Sequence, residues 1–120
     1  MKLQESGENY LETILTLSKK QGSVRSIDIV NELGFSKPSI SRAVGLLKID
    51  GYINMDNKGF ITLTDKGLEA AQRVLERHEW LRSFFVSLGV SEETAALDAC
   101  RVEHAISEET FAKMKEALDK

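Results

Sequence analysis

The sequence predicts a mostly α-helical fold with one small β-hairpin, arranged as a winged helix-turn-helix followed by an all-helical region. Two short helical segments separated by a glycine-containing turn lie before residue 50. Residues that favour β-strands then flank a turn-forming stretch at 56–59. From residue 66 onwards, apolar residues recur at helical spacing, and this pattern is interrupted near residues 89 and 106.

Composition is that of an ordinary globular protein. The 120 residues, 42% hydrophobic and 29% charged, are enough for one compact unit or for two small units that share a core. Residues 1–66 contain nine Lys and Arg against eight Asp and Glu, whereas residues 67–120 contain seven against eleven. The first part could therefore contact phosphates locally, and the acidic second part suits cations.

Two absences bear on location. No apolar run approaches the roughly 20 residues of a membrane span, and no apolar region follows Met1 as it would in a signal peptide. The single cysteine, Cys100, cannot form an internal disulfide. We therefore expect a cytoplasmic protein with no membrane partner.

The first predicted helix covers residues 6–20, with Ser6 as its N-cap and an apolar stripe of helical period. A second helix covers residues 26–33, with Ser26 as its cap and Ile27 among the inward positions. It ends at Gly34, where a positive φ is tolerated.

The third predicted helix begins at a Ser36 cap, has Pro38 in its first turn, counts Ile49 among its apolar positions, and ends before Gly51. Helix, glycine turn and helix form a helix-turn-helix pattern. The outward side chains of the third helix are short and polar or cationic, so this face could enter a major groove. The alternative is an ordinary amphipathic helix with a solvated face.

The next stretch predicts a wing. Residues 52–55 and 60–64 are typical of two strands, and Asn57 and Gly59 favour a turn between them. Lys58 would lie at the tip of this hairpin, where a wing contacts backbone phosphate. The residues predicted to contact DNA are Arg25, Ser36, Lys37, Ser39, Ser41, Arg42 and Lys58.

Three helices follow. The first covers roughly 66–88, with Asp65 as its cap and Gly89 after its end; the others begin at Ser91 and Ser107 caps. The long helix carries more apolar surface than one small winged helix could cover.

The stretch after Ser91 holds a candidate metal patch. In a helix, Cys100, Glu103 and His104 stand at i, i+3 and i+4, so their side chains share one face. A thiolate, a carboxylate and an imidazole on one patch suit a divalent transition metal. The alternative is a small core cysteine beside an exposed Glu-His pair. His78, in the middle of the long helix, is a weaker candidate because a lone helical histidine usually has a structural place.

Several motifs occur in a recognisable order. They are residues 8–14 (ENYLETI), 36–41 (SKPSIS), 63–67 (LTDKG), 77–81 (RHEWL) and 98–107 (DACRVEHAIS). With these motifs the chain resembles the metal-dependent repressors of the diphtheria toxin repressor class, especially the shorter manganese-transport regulator branch. The resemblance covers nearly the whole chain.

This resemblance implies a function and a metal site. It implies a DNA-binding domain over 1–66 and a helical metal-binding and dimerisation domain over 67–120, in a homodimer that binds a palindromic operator when metal is present. The activating metal would be Mn²⁺ or Fe²⁺, with Co²⁺, Ni²⁺ or Zn²⁺ possible in vitro, and metal-uptake genes would be repressed. The implied ligands are Asn9, Glu12, His78, Cys100, Glu103 and His104.

The chain departs from the family pattern at several positions. Asn9 replaces Asp or Met, and an amide is a weaker ligand that could bind through its side chain or its carbonyl, or not bind. Cys100 replaces the Glu of many manganese sensors, which favours softer metals. Arg82 and Ala96 stand where the iron-sensing branch has ancillary ligands, so Arg82 would repel a cation there. Because the chain stops at Lys120, the SH3-like domain of longer members is expected to be absent.

Two other functional classes remain open from sequence. One is a winged-helix regulator that does not sense metal, which would apply if His78 and Cys100 pointed apart. The other is a small metalloenzyme, against which stand the absence of an HExxH motif, of a glycine-rich phosphate loop and of a second base. The sequence therefore favours a regulator over an enzyme.

Overall fold

A computed structural model describes residues 5–118, and in this range it contains six helices and one hairpin. The elements are α1 Glu5–Gln21, α2 Ser26–Leu33, α3 Lys37–Ile49, β1 Ile53–Met55, β2 Ile61–Leu63, α4 Asp65–Ser87, α5 Glu92–Ala105 and α6 Glu108–Leu118. The chain divides into two compact units, one ending at Arg73 and the other beginning at Val74. No helix among the described residues is long and apolar enough to cross a membrane.

The first unit is a winged helix-turn-helix, as predicted. Its buried apolar residues come from every element before α4, and the largest fully buried ones are Leu11, Ile14, Ile29, Ile40, Ile53 and Val24. Gly34 has φ 75° and donates its N–H to Val30 O, which ends α2 in the left-handed conformation that glycine allows. The packed apolar side chains fix the angle at which α3 leaves this turn.

The wing is an antiparallel pair in which Asn54 faces Thr62. Its turn is held by Asp56, whose Oδ1 accepts hydrogen bonds from the N–H groups of Lys58 and Phe60, each 2.9 Å long. A further bridge joins Val24 to β2, a pairing that the sequence did not predict. The hairpin is therefore anchored to the chain between α1 and α2.

Some of the predicted helix N-caps are confirmed and others are wrong. The Ser36, Ser91 and Ser107 caps are confirmed, since each hydroxyl accepts the N–H three residues on. The Ser6 cap is wrong, because α1 already includes Glu5.

The Ser26 and Asp65 caps are also wrong, by one position each. Arg25 precedes α2, and its N–H is bound by the Asp28 carboxylate at 2.8 Å. Thr64 precedes α4, and its hydroxyl accepts from Gly67 N–H at 3.1 Å. At α4 the neighbouring residue thus makes the bond that the predicted cap would have made, whereas at α2 the Asp28 side chain binds the N–H of the residue before the helix.

Two residues predicted to face the core lie at the surface. Ile27 is exposed, and Ile49 keeps 81% of its surface accessible. Each lies two positions from a buried residue of its own helix, Ile29 and Leu47. Two positions correspond to about 200° around a helix, so burying one residue turns the other outward.

The second unit comprises α4 from Val74 together with α5 and α6. Leu81, Ala95 and Ala99 are fully buried, and Phe111 nearly so. Several large apolar residues of this unit remain exposed, namely Leu88, Leu97 and Leu118. Exposed apolar residues on this unit agree with the excess apolar surface expected from the sequence.

Candidate metal centre and nucleic-acid interface

Cys100, Glu103 and His104 form a ridge on α5, here called the ligand ridge. One ligand atom from each residue lies within 4.8 Å of the other two. This is what their i, i+3 and i+4 spacing predicted, since these positions share a face of a helix. The three donor types suit a divalent transition metal.

His78 of α4 reaches the same ridge. Its Nδ1 lies 2.9 Å from Oε2 of Glu103, and 23% of its side chain is exposed. The alternative in which His78 and Cys100 face different surroundings is disfavoured, because His78 contacts a residue of the ligand ridge. His78, which the sequence alone made only a weak candidate for a metal ligand, thus lies in contact with the ligand ridge.

Glu103 provides the test of whether these residues fit a metal. Its side chain is 0% exposed, and its Oε1 accepts no hydrogen bond from the described residues. That oxygen lies 3.2 Å from Nε2 of His104, whose side chain is 4% exposed. A buried carboxylate with an unused lone pair costs free energy, and a cation shared with the imidazole would offset that cost. The donor set therefore fits a divalent metal.

Arg77 is a residue of this centre that sequence reasoning missed. Its guanidinium donates to the carbonyl oxygens of Glu103 at 2.9 Å and Ile106 at 3.0 Å, and the side chain is buried. A signal was present, because Arg77 opens the RHEWL motif that carries part of the family resemblance and lies beside His78. From sequence, an arginine on a charged helix is nevertheless expected at the surface, because the main-chain carbonyls that it binds cannot be identified there.

Asn9 and Glu12 lie on α1 in the first unit, three positions apart on one face. Both line an open cavity of about 240 Å³ together with residues of α2. The hydroxyl of Thr13 donates to the main-chain carbonyl of Asn9 at 2.8 Å. Because the main-chain carbonyl of Asn9 already accepts this bond, its side-chain amide oxygen is the better candidate to bind a metal.

Arg82 carries a fixed positive charge elsewhere on α4. It donates to Glu92 at 2.9 Å and to Glu79 at 3.3 Å. The hydrogen bond that Arg82 donates to Glu79 and the negative charge of Glu92 raise the pKa of Arg82 above its ordinary value. Both carboxylates are thus already paired with a cation of the chain itself.

The predicted DNA-contacting residues are all exposed in the first unit. Ser36 has a second use, because its hydroxyl caps α3. Arg25 also makes internal contacts: it donates to the Lys58 carbonyl at 2.7 Å, and its guanidinium lies 4.4 Å from the centre of the Phe60 ring. Arg25 therefore braces the wing, whether or not it contacts DNA.

Comparison with known proteins identifies the family. Residues 2–59 match the iron dependent repressor N-terminal DNA binding domain, and residues 64–120 match the iron dependent repressor metal binding and dimerisation domain. The chain belongs to the iron-dependent repressor family. The resemblance drawn from its motifs is therefore confirmed, as is the fold class.

Relatives of this family align over most of the chain. An uncharacterized HTH-type transcriptional regulator of Methanocaldococcus jannaschii is 32% identical over 98% of this chain and 96% of its own length. The transcriptional regulator MntR of Escherichia coli is 37% identical over 87% of this chain and 67% of its own length. A manganese-dependent transcriptional repressor in complex with manganese superposes with a TM-score of 0.85 at 29% identity. That match covers 94% of this chain and 52% of the solved one, so the chain spans about half of that protein.

Family membership settles the functional class. This iron-dependent repressor family member is a metal-dependent, DNA-binding transcriptional regulator and not an enzyme, as the sequence predicted. The family's second domain binds divalent metal and dimerises.

Proposed function

We propose that this protein is a homodimeric repressor of metal-uptake genes that binds a palindromic operator when Mn²⁺ or Fe²⁺ is present. The observation that carries the proposal is the buried Glu103 carboxylate, which has His78 at one oxygen and His104 at the other. A cytoplasmic location follows from this role.

The proposed ligands combine the ligand ridge with residues of two other helices. Cys100, Glu103 and His104 come from α5 and His78 from α4, and Asn9 and Glu12 of α1 are added because the family resemblance implies them. The bound cation would neutralise the acidic ligands. The domain division proposed from sequence, 1–66 and 67–120, assigns DNA reading and metal sensing to different parts of the chain.

The metal is proposed from the donor set. Compared with a site of oxygen and nitrogen ligands only, a site with the Cys100 thiolate has a greater preference for Fe²⁺ over Mn²⁺. It would also bind Co²⁺, Ni²⁺ and Zn²⁺. Solved relatives contain manganese or Zn²⁺.

DNA recognition is assigned to α3 and the wing. Lys37, Ser39, Ser41 and Arg42 are exposed on α3, and Lys58 lies at the wing tip. In a dimer, two such helices must reach major grooves about 34 Å apart. We propose that metal favours this spacing, typically by about 1–3 kcal/mol of coupling.

The dimer contact is proposed for the second unit. Trp80, Phe84 and Leu118 line an open groove of about 290 Å³, in which the Trp80 and Phe84 rings stack at 5.5 Å. Aromatic residues of this kind are enriched where protein surfaces associate.

The test begins with a DNA duplex selected from a random pool by the Mn²⁺-loaded protein. Affinity for that duplex is then compared in Mn²⁺, in Fe²⁺ under anaerobic conditions, and in chelator. We expect binding to weaken at least fivefold in chelator. Equal affinity in all three conditions would show that this protein does not sense metal.

A further inference from the structure

Arg77 is a buried cation one residue before a proposed metal ligand. It is 7% exposed. One nitrogen, Nη1, donates to the carbonyls of both Glu103 and Ile106, and the other lies 4.0 Å from the Glu108 carboxylate. Both of these hydrogen bonds are directed at the junction between α5 and α6.

That junction needs an external donor. The last carbonyls of a helix have no partner within the helix and carry partial negative charge. The C-cap of α5 is Ile106 in extended conformation, so no left-handed glycine turns back to satisfy these groups. Arg77 supplies such donors, since its Nη1 group binds the carbonyl oxygens of Glu103 and Ile106 at once.

Glu103 is therefore held at two places by consecutive residues of α4. Arg77 binds its main-chain carbonyl, and His78 lies 2.9 Å from its carboxylate. Glu76, the residue before, pairs with Lys115 of α6 at 2.7 Å. Three adjacent positions on α4 thus contact α5 or α6.

The aromatic ring of Phe111 completes this arrangement. It lies between two cations, with Arg77 at 5.7 Å and Lys115 at 5.2 Å from its centre. Trp80 packs edge-on against the same ring at 5.6 Å. The Arg77 side chain is thereby fixed by packing as well as by hydrogen bonds.

We propose that Arg77 is a positioning residue for the metal centre, which sets the place of the Glu103 carboxylate by holding the C-terminal end of α5. This inference rests on the proposed ligand set. Partners outside the ligand shell typically change metal affinity by about 10- to 100-fold when they are removed. Arg77 acts through the backbone of a ligand rather than through its side chain.

The experiment is a titration of the metal-free full chain with Co²⁺, followed by the thiolate-to-cobalt charge-transfer band and the visible ligand-field bands. The variants are Arg77→Met, which removes all donors, and Arg77→Lys, which keeps the charge. Arg101→Met is the matched control, because Arg101 is an exposed arginine on α5 next to Cys100. Thermal unfolding of each metal-free variant is measured in parallel.

We expect Arg77→Met to weaken Co²⁺ binding about tenfold or more and to alter the ligand-field bands, with Arg77→Lys intermediate and Arg101→Met like wild type. A folded Arg77→Met with wild-type affinity and spectrum would overturn the inference, as would an equal loss in Arg101→Met. If Arg77→Met does not fold, Arg77→Lys decides: wild-type affinity and spectrum in it would overturn the inference. Failure of the wild-type protein to show the thiolate band would instead refute the proposed ligand set.

Discussion

Nδ1 of His78 lies 2.9 Å from Oε2 of Glu103, and this contact joins α4 to the ligand ridge of α5. The other oxygen of the same carboxylate lies 3.2 Å from Nε2 of His104. One buried carboxylate thus stands between two imidazoles. A negative charge on this carboxylate favours metal binding. The same buried charge lowers the stability of the metal-free protein.

The first prediction concerns Glu103→Gln. This substitution keeps the size of the side chain and removes its charge, so we expect metal affinity to fall by about 100-fold or more. The metal-free protein should be at least as stable as wild type, because a buried charge is no longer desolvated. Calorimetric titration with Mn²⁺ and thermal unfolding in chelator measure the two effects.

Glu109→Gln is the matched control, because Glu109 is an exposed glutamate at the start of α6. It should leave both quantities unchanged. Retention of full metal affinity by Glu103→Gln would remove Glu103 from the ligand set.

The second prediction concerns metal selectivity at Cys100. Replacing the thiolate with a carboxylate in Cys100→Glu should raise the affinity for Mn²⁺ relative to Zn²⁺ by about tenfold, because Mn²⁺ prefers oxygen donors. Cys100→Ser supplies neither a thiolate nor a carboxylate and should weaken the binding of both Mn²⁺ and Zn²⁺. Competition titrations against a metal-sensitive dye give the ratio, and an unchanged ratio in Cys100→Glu would contradict the assignment.

The third prediction concerns Asn9. Its main-chain carbonyl already accepts a hydrogen bond from the Thr13 hydroxyl, so the side-chain amide oxygen is the metal ligand to test. Asn9→Asp supplies a charged oxygen and should strengthen Mn²⁺ binding by about three- to tenfold. Asn57→Asp, on the wing turn, adds the same charge away from the proposed ligands and should have no effect on metal affinity. Equal responses of the two variants would argue against Asn9 as a ligand.

The fourth prediction concerns DNA contact by α3. Arg42→Ala should weaken binding to the selected duplex and reduce the slope of log affinity against log salt by about 1, because a phosphate-neutralising charge is lost. Lys19→Ala removes an exposed charge from the last turn of α1 and should leave the slope unchanged. Fluorescence anisotropy over a salt series measures both, and an unaltered slope in Arg42→Ala would count against this contact.

The fifth prediction concerns the junction between the wing and α4. A Cβ added at Gly67 would lie 1.9 Å from the main-chain oxygen of Tyr52, and backbone cannot yield cheaply. We expect Gly67→Ala to destabilise the protein by about 2 kcal/mol or more. Gly45→Ala, where a Cβ meets nothing within 4 Å, should instead stabilise α3 by about 0.5–1 kcal/mol. Urea unfolding measures both, and equal effects would contradict the steric argument.

Much of this fold can be predicted from sequence because its signals are local. Serine caps at 36, 91 and 107 and the spacing of Cys100 to His104 involve residues within one helical turn, so a short stretch is enough. The winged helix-turn-helix follows from the order of such stretches. Its family then follows from several motifs in sequence.

The remainder depends on contacts between distant residues. The bridge from Val24 to Ile61 and the bond from Arg77 to the Glu103 carbonyl join positions 37 and 26 apart, and main-chain acceptors leave no mark in sequence. The misplaced caps have a different cause. At the start of α4, Thr64 and Asp65 are both able to cap the helix, and at the start of α2 the bond is made by the Asp28 side chain instead of a capping side chain.

The guanidinium of Arg25 binds the carbonyl at the tip of the hairpin and stacks on the ring beside it. If Lys58 contacts the sugar-phosphate chain as proposed, these contacts would reduce the conformational entropy that the tip loses on binding. An arginine before one helix thus supports a loop 33 residues further along the chain, and in the proposed complex the shape of that loop would be set before any base is contacted.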